Sequence, residues 1–523
     1  MNPAVVTDPG APPLPFHVIA ELVRDHARAR PDHVAIESGE QRFTYAELDG
    51  WMDRVAASLQ RDGLAVGDAI ALCALPSPLY AALFLGALRA GIVVAPLAPS
   101  VTPDSFASML DDAQARLLFV DATAADALGD RPRDDLVVSL DGIAAGAAFD
   151  RWLMPEGAVP AAVDVQPEWP FNIIYSSGTT GQPKGIVQSH GMRWTHVMRG
   201  ANYRYGPHTV TLLATPLYSN TTLVVFFPTL AFGGTVVLMP KFNAAGYLAL
   251  AEAHRVTHTM LVPVQYQRIM ALPDFDAYDL SSYQFKFSTS APFNAALKAD
   301  VLSRWPGGLV EFYGMTEGGG TCMLLAHLHP DKLHTVGQPA EGHDIRLIDE
   351  DGNELPPGST GEVVGHSGGM MTGYHRQPAK TREAEWFDAT GKRFIRTGDV
   401  GRFDDDGFLV LMDRKKDMII SGGFNIYPSD LEAELRSHPA VVEVAVVGVP
   451  STTWGETPIA YVVPRADSGA TADALMAWLN QRVGKTQRIA RLDFVDELPR
   501  SAIGKILKRE LRDAHVASGR DPH

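Results

Sequence analysis

Apolar positions along the chain follow two rhythms, and their alternation predicts the architecture. Between residues 18 and 29, Ile19, Leu22, Val23 and His26 recur at helical spacing, and Pro31 stops the helix. Thr44-Tyr45-Ala46-Glu47 is a capping box, in which the Thr44 hydroxyl and the Glu47 carboxylate satisfy the first free N–H groups of a second helix. Leu48, Met52, Val55 and Leu59 form the core face of that helix, and Gly63 ends it. A strand over 69–75 follows, then a helix over 79–89 closed by Gly91, a strand over 92–97, a helix around 106–113 and a strand over 116–120. The pattern resumes with strands over 209–217 and 257–263. Short apolar strands alternating with helices predict parallel sheets covered on both faces.

The rhythm changes beyond Leu355. Leu355-Pro356-Pro357-Gly358 and Asp404-Asp405-Asp406-Gly407 are turn signals, and the flanking runs 361–365 and 408–412 predict hairpins. Asp413-Arg414-Lys415-Lys416-Asp417, a charged knot between two apolar runs, reads either as a solvated turn or as an interdomain hinge. Ser429-Asp430-Leu431-Glu432 predicts another capping box. Strands over 441–447, 459–463 and 491–495, a helix over 472–483 and a closing amphipathic helix complete ~100 residues, the size of a small separate α+β domain.

The most apolar stretch, 221–239, is nearly long enough to span a bilayer, but Pro228 and Gly233-Gly234 cut it into pieces that predict a buried helix and a strand. No membrane span is therefore expected. The first 15 residues are Pro-rich, lack a basic patch and an apolar run, and read as a disordered tail. A formal charge of -16 argues against a nucleic-acid surface, which needs a basic excess. Cys73 and Cys322 build neither a disulfide framework nor a thiolate metal site, which points to a reducing, cytoplasmic compartment. The 17 histidines show no metal-ligand spacing.

Four stretches carry chemistry. Ser176-Ser177-Gly178-Thr179-Thr180-Gly181-Gln182-Pro183-Lys184-Gly185 follows an apolar run, 171–175, and precedes an Ile-Val-Gln-Ser-His segment that can enter a helix. Its four hydroxyls, three glycines and one lysine suit a polyphosphate, since glycines let backbone N–H groups curl into an anion nest. It is not a Walker A loop, because Gly185 follows Lys184 where Ser or Thr belongs. A flexible linker is the bland alternative.

The second stretch is Glu311-Phe312-Tyr313-Gly314-Met315-Thr316-Glu317-Gly318-Gly319-Gly320. An aromatic beside glycine can face a base, a threonine can reach a phosphate, and a carboxylate can hold a phosphate-bridging magnesium ion. An ordinary Gly-rich turn is the bland alternative. The third, Thr397-Gly398-Asp399 at the end of a strand over 394–396, can offer a bidentate acceptor to a ribose diol, or be a common turn. In the fourth, 499–508, Lys505 follows Gly504 on a turn entering a helix, where a solvated lysine is the bland reading.

Together, in this order, the four stretches and Asp413-Arg414-Lys415-Lys416-Asp417-Met418-Ile419-Ile420-Ser421-Gly422-Gly423-Phe424-Asn425-Ile426-Tyr427-Pro428 resemble the adenylate-forming superfamily of acyl-CoA synthetases, peptide-synthetase adenylation domains and beetle luciferases. The resemblance runs from about Phe16 to Arg512. It implies a large α/β N-terminal domain, with parallel-rich sheets covered by helices plus a β-barrel-like subdomain, over 16–414. A small, mobile α+β C-terminal domain over 415–523 would turn about a hinge at Lys416. ATP, Mg²⁺ and coenzyme A are the implied cofactors.

Residue roles follow from the resemblance. Tyr313, flanked by Glu311, Phe312 and Gly314, would stack on adenine, with Ser290-Ala291-Pro292 walling the other side. Thr316 would touch the α-phosphate, and Glu317, with Thr179, would hold Mg²⁺. Asp399 would bind the ribose diol, assisted by Arg414. The loop with Ser176, Ser177, Gly178, Thr179, Thr180, Gly181 and Lys184 would hold the β- and γ-phosphates. Lys505 would catalyse adenylation, where charge develops as the substrate carboxylate attacks. Rotation about Lys416 would then present the face of Ser421, Gly422, Gly423 and Phe424.

The acid pocket would draw on Tyr218, Ser219, Thr222, Phe226, Thr289, Ser290, Gly314, Met315, Gly318 and Val336. None is charged, which disfavours a second carboxylate on the substrate. No carboxylate lies in 215–220 to pair an α-ammonium group, which argues against an amino acid. Ser219 follows the aromatic where many relatives carry histidine. Gly314 and Gly318 are expected to leave room for a ring or chain, so the small-molecule carboxylic acid is expected to be aromatic and cinnamate-like, or medium-chain or alicyclic. Free coenzyme A is the expected acceptor, since no carrier motif follows Lys505; an amine or a carrier protein is the alternative. A degenerate nucleotide sensor would have lost Lys505 or Glu317, and a homodimer stays open.

Overall fold

The computed structural model describes residues 15–128, 137–142, 146–176, 184–414, 417–421, 424–451, 453–466, 468–501 and 504–519. The chain forms two compact units, one of residues 1–344 with 365–395 and the other of 345–364 with 396–523.

In the first unit the expected parallel sheets are present. Among the described residues one sheet runs, edge to edge, Gln338–Pro339, Gly318–Leu325, Gly308–Met315, Phe285–Ser288, His258–Leu261, Val210–Leu213, Thr235–Leu238, Val34–Ser38 and Gln41–Thr44. Its interior pairs are parallel and its two ends antiparallel. A second sheet centres on the parallel strands Ala69–Cys73, Val93–Pro96 and Leu117–Val120. It ends on an antiparallel edge, Pro170–Ser176, Lys184–Ser189 and Gly373–Tyr374.

Local signals place the helices. Helix Tyr45–Arg61 begins at the Thr44–Glu47 capping box, and Leu48, Met52, Val55 and Leu59 are fully buried. Helix Pro78–Arg89 packs on it, and in its last turn the buried Arg89 guanidinium is answered by Asp49 (2.5 Å) and Asp53 (2.8 Å). Here a buried cation is paired, as burial demands.

Two local readings are corrected in this unit. Residues 184–189 are a strand, so the glycine-rich segment closes a β-hairpin, and the helix His190–Arg199 starts only beyond it. The buried β-branched pair Ile186-Val187 fits the second sheet better than a helix start. Pro228 does not cut its segment: helix Asn220–Ala231 carries it in the last turn, and the break falls at Gly233-Gly234 before strand Thr235–Leu238. Among the described residues no helix is long and apolar enough to cross a membrane.

The strand Arg393–Phe403 carries the chain from the first unit into the second. There it forms the expected hairpin with Leu409–Arg414 around Asp404 and Gly407. The Val441–Ser451 and Gly455–Pro464 hairpin, joined in parallel by Arg491–Phe494, carries helices Pro428–Arg436, Ala472–Asn480 and Lys508–Ala517. The Ser429 cap is not formed. Pro428, with φ preset for a helix, takes the first position and makes Tyr427 the N-cap. The second unit takes in 345–364 and 396–414 together with the C-terminal elements, whereas the sequence divides the chain at 414/415. The helix Pro428–Arg436 packs on the strand Leu409–Arg414, one physical reason for that grouping. The expected tail and Lys416 lie outside the described residues, save Pro15.

Thr44→Ala removes one half of a formed capping box. It is expected to lower unfolding stability by about 1 kcal/mol, read as a lower denaturant midpoint of the first unit.

Candidate active site

The site in the first unit is built on the antiparallel hairpin Gly308–Met315 and Gly318–Leu325, whose turn is Thr316-Glu317. Gly318 must be glycine: its φ is +78°, and a Cβ would lie 2.0 Å from the Gly369 carbonyl oxygen. The room expected of Gly318 is therefore taken by backbone, a correction. Gly314 is the position where small size leaves space, since a Cβ there meets nothing nearer than 3.4 Å.

Both turn carbonyls are tied down. The Gln188 side-chain amide donates to the Thr316 carbonyl (2.7 Å), and the Met371 N–H donates to the Glu317 carbonyl (2.7 Å). The Glu317 side chain is buried and accepts from the Tyr374 hydroxyl at 2.8 Å. Lys184 Nζ lies 5.0 Å from the centre of the Tyr374 ring. Burial, then the Glu317 charge, raises the Tyr374 pKa and keeps the phenol a donor. One tyrosine therefore links the expected metal carboxylate to the expected phosphate lysine. Sequence reading missed it; its only signal was an aromatic beside Gly373.

Ser177, Gly178, Thr179, Thr180 and Gly181 lie outside the described residues, and the hairpin closes at the Ser176 and Lys184 backbone pair. A single carboxylate suits Mg²⁺, which typically binds through one or two carboxylates plus substrate phosphates. Among the described residues no group of three or more His, Cys, Asp or Glu side chains that could hold a metal ion forms.

Strand alternation puts Glu311 and Tyr313 on one face and Phe312 on the other. Phe312 packs against Tyr203 and Phe287. Glu311 is sealed against Lys298, whose ammonium also donates to the carbonyls of Leu333 (2.8 Å) and Thr335 (3.1 Å). Burial pushes the Glu311 carboxyl upward against the opposing pull of Lys298. Both side chains preceding Tyr313 are thus engaged in packing, while Tyr313 itself is half-buried and stands opposite Cys322 in the ladder.

On the side where the acid is expected, Ser219 is the N-cap of helix Asn220–Ala231, its hydroxyl accepting from the Thr221 N–H (3.3 Å). Thr222 is fully buried, its hydroxyl within hydrogen-bond distance of the Thr215 hydroxyl (2.8 Å) and the Pro216 carbonyl (2.7 Å). Phe226 is buried against Phe227. Tyr218, Thr289, Ser290, Met315 and Val336 are half-buried. Burial raises the Tyr218 phenol to about 12, so it is neutral at physiological pH. Ser290 holds a left-handed φ of +79°, uncommon for a residue with a Cβ, and its hydroxyl bonds Thr221 at 2.6 Å. Ala291 is half-buried and Pro292 exposed beside it.

In the second unit, Thr397-Gly398-Asp399 does not end a strand. It lies inside Arg393–Phe403, with Gly398 at φ +69° and the Asp399 N–H donating to the Thr397 hydroxyl (3.0 Å). Asp399 stands opposite Arg414 in the ladder. Lys505 sits on a tight turn: its N–H donates to the Ser501 hydroxyl (3.2 Å), and its carbonyl accepts from the Ser501 N–H (2.8 Å). Lys416, Gly422 and Gly423 lie outside the described residues.

A glycine-rich segment between two antiparallel strands, an aromatic near a strand end and a turn presenting one carboxylate are residue types suited to meeting a nucleotide. Residues 23–375 match the AMP-binding enzyme family, and residues 430–505 match the AMP-binding enzyme C-terminal domain; the chain belongs to this family. It is 35% identical to a feruloyl-CoA synthase of Amycolatopsis sp over 93% of this chain and 96% of that one. It is 33% identical to an indoleacetate–CoA ligase of Aromatoleum aromaticum, over 94% and 97%. Among solved structures, the amide bond synthetase McbA from Marinactinospora thermotolerans superposes with a TM-score of 0.83 at 29% identity, over 95% and 99%.

Tyr374→Phe deletes the hydrogen bond to Glu317 and keeps the ring over Lys184. It is expected to weaken Mg²⁺-ATP binding roughly tenfold, about 1.4 kcal/mol, and to leave magnesium-free AMP binding unchanged in calorimetric titrations.

Proposed function

We propose that the protein is an AMP-forming ligase that joins an aromatic, cinnamate-like carboxylic acid to coenzyme A, with a medium-chain or alicyclic acid as the nearest other substrate. The observation that carries this reading is that Tyr218, Thr289, Ser290, Met315 and Val336, the residues expected to line the acid pocket, are half-buried and free of charge. Such a wall accepts an apolar ring and rejects a second carboxylate, because an unpaired buried charge is costly. The similarity to a feruloyl-CoA and an indoleacetate ligase supports the same choice.

In the first half-reaction the substrate carboxylate attacks the α-phosphorus of ATP and pyrophosphate leaves. No general base is needed, since the acid is already ionised at neutral pH. Lys184 and the hairpin loop hold the leaving phosphates, Thr316 meets the α-phosphate, and Tyr313 faces adenine. Asp399, with Arg414 opposite, takes the ribose diol. Glu317 with Thr179 would hold Mg²⁺, which would offset the charge of the triphosphate. Lys505 places its cation where negative charge develops.

In the second half-reaction the coenzyme A thiol attacks the acyl carbonyl and AMP leaves. The C-terminal domain, 415–523, turns about Lys416 between the two steps, withdrawing Lys505 and bringing Gly422 and Gly423 to the site. The cytoplasm supplies ATP and coenzyme A together. The structural likeness to an amide bond synthetase favours one rival, transfer of the acyl group to an amine.

A panel of carboxylic acids assayed for AMP release tests the reading. Release that requires both acid and coenzyme A is expected, strongest with cinnamates; release driven by an amine in the absence of coenzyme A would establish the rival. Lys505→Ala is expected to lower acid-dependent ATP–pyrophosphate exchange by roughly a hundredfold or more, while thioester formation from supplied acyl-adenylate keeps most of its rate. Equal loss in both half-reactions would refute the alternation.

A further inference from the structure

Arg193, on the helix His190–Arg199, has only 1% of its surface exposed. Its guanidinium donates from Nε to Asn172 Oδ1 (3.0 Å), from Nη1 to Asn220 Oδ1 (2.8 Å) and from Nη2 to Gln188 Oε1. The rings of Phe171 and Phe227 lie 5.8 and 5.9 Å from it. Among the described residues these hydrogen-bond partners are all neutral amides, in contrast to Arg89, which meets two carboxylates. A buried cation without a counter-charge is expensive, and burial pulls this one down to about 9.

What the cation accomplishes follows from donor and acceptor chemistry. A guanidinium only donates, so each amide must turn its oxygen toward Arg193. The Gln188 oxygen is thereby committed, and its nitrogen faces the Thr316 carbonyl, to which it donates at 2.7 Å. A flipped Gln188 would set two carbonyl-type oxygens against each other at that distance and push the turn away. Asn220 opens the helix Asn220–Ala231, whose Thr221 holds Ser290 by the 2.6 Å hydroxyl bond. One guanidinium therefore reaches the Thr316-Glu317 turn through Gln188 and the acid-side helix through Asn220.

We propose that Arg193 is a positioning residue that sets the Thr316-Glu317 turn and the first turn of the acid-side helix relative to each other by dictating how the Gln188 and Asn220 amides point. The inference rests on reading this site as an adenylating centre. It concerns kcat more than binding of the acid, because the aligned groups are those that meet at the α-phosphorus.

The test uses full-length Arg193→Met, Arg193→Lys and Gln188→Met proteins, each followed by melting temperature, by ATP–pyrophosphate exchange and by the Tm rise that Mg²⁺-ATP induces. In Arg193→Met the amides can re-pair, as the existing Asn172–Gln188 contact at 3.1 Å allows, and an unpaired buried charge disappears. Its Tm is expected to stay within about 4 °C of wild type. Its kcat is expected to fall roughly tenfold or more with the acid KM changed less than about threefold, and Gln188→Met to show the same split. The double variant is expected to be no worse than either single one.

Should Arg193→Met fail to fold, Arg193→Lys carries the test, since an ammonium keeps the charge without the fork and the kcat loss should persist. Wild-type kcat in a folded Arg193 variant, or in Gln188→Met, overturns the inference. So does a rate loss fully accounted for by a lower Tm. A wild-type protein with no exchange on any acid discards the functional reading alone. The Mg²⁺-ATP-induced Tm rise then decides: a smaller rise in Arg193→Met upholds the positioning role, and an equal rise ends it.

Discussion

The turn Thr316-Glu317 is the constraint on which the chemistry of the first unit depends. A two-residue connection between antiparallel strands has little freedom once both carbonyls are bonded, one by Gln188 and the other by the Met371 N–H. Glycine at 318 is then obligatory, because the strand returns directly beneath the Gly369 carbonyl. With its backbone held, Glu317 has one direction in which to point, and Tyr374 holds it there by donating to one carboxylate oxygen. Preorganisation of this kind matters in a site handling a highly charged triphosphate, because no rearrangement is then required as charge moves in the reaction.

Buried cations in the first unit are answered in different ways. Arg89 is buried between two aspartates and knits the first helices together. Lys298 is buried against Glu311 and caps the carbonyls of Leu333 and Thr335, holding the segment that leads to Val336. Both solve a packing problem with paired charges. Arg193 differs because its hydrogen bonds go to neutral amides, and those amides lead to the two halves of the site. An expense of that kind persists where orientation matters more than stability.

Much of the fold was legible because its signals are local. The Thr44–Glu47 capping box, the buried face of Leu48, Met52, Val55 and Leu59, and the Asp404–Gly407 turn each depend on neighbours within a few residues, and each formed. Readings failed where a local signal was ambiguous. Ile186-Val187-Gln188 fits a helix entry as well as a strand, and only the edge of the second sheet decided for the strand. Ser429 had the chemistry of a cap, but Pro428 preceded it and claimed the first helical position. The small size of Gly318 was legible, while its cause, a backbone 51 positions further along at Gly369, was not.

The linear order of residues by itself determined the alternating α/β architecture, the family of the chain and the set of groups expected to meet a nucleotide, Lys184, Tyr313, Thr316, Glu317, Asp399 and Lys505 among them. These are properties of residue type, period and short spacing, which need no partner to be read. Tertiary structure alone decided which of those groups are held and by what. Tyr374 reaches Glu317 across 57 positions, and Gln188 reaches Thr316 across 128. Hydrogen-bond partners at such separations are brought together by sheet topology, and no periodicity in the chain encodes them.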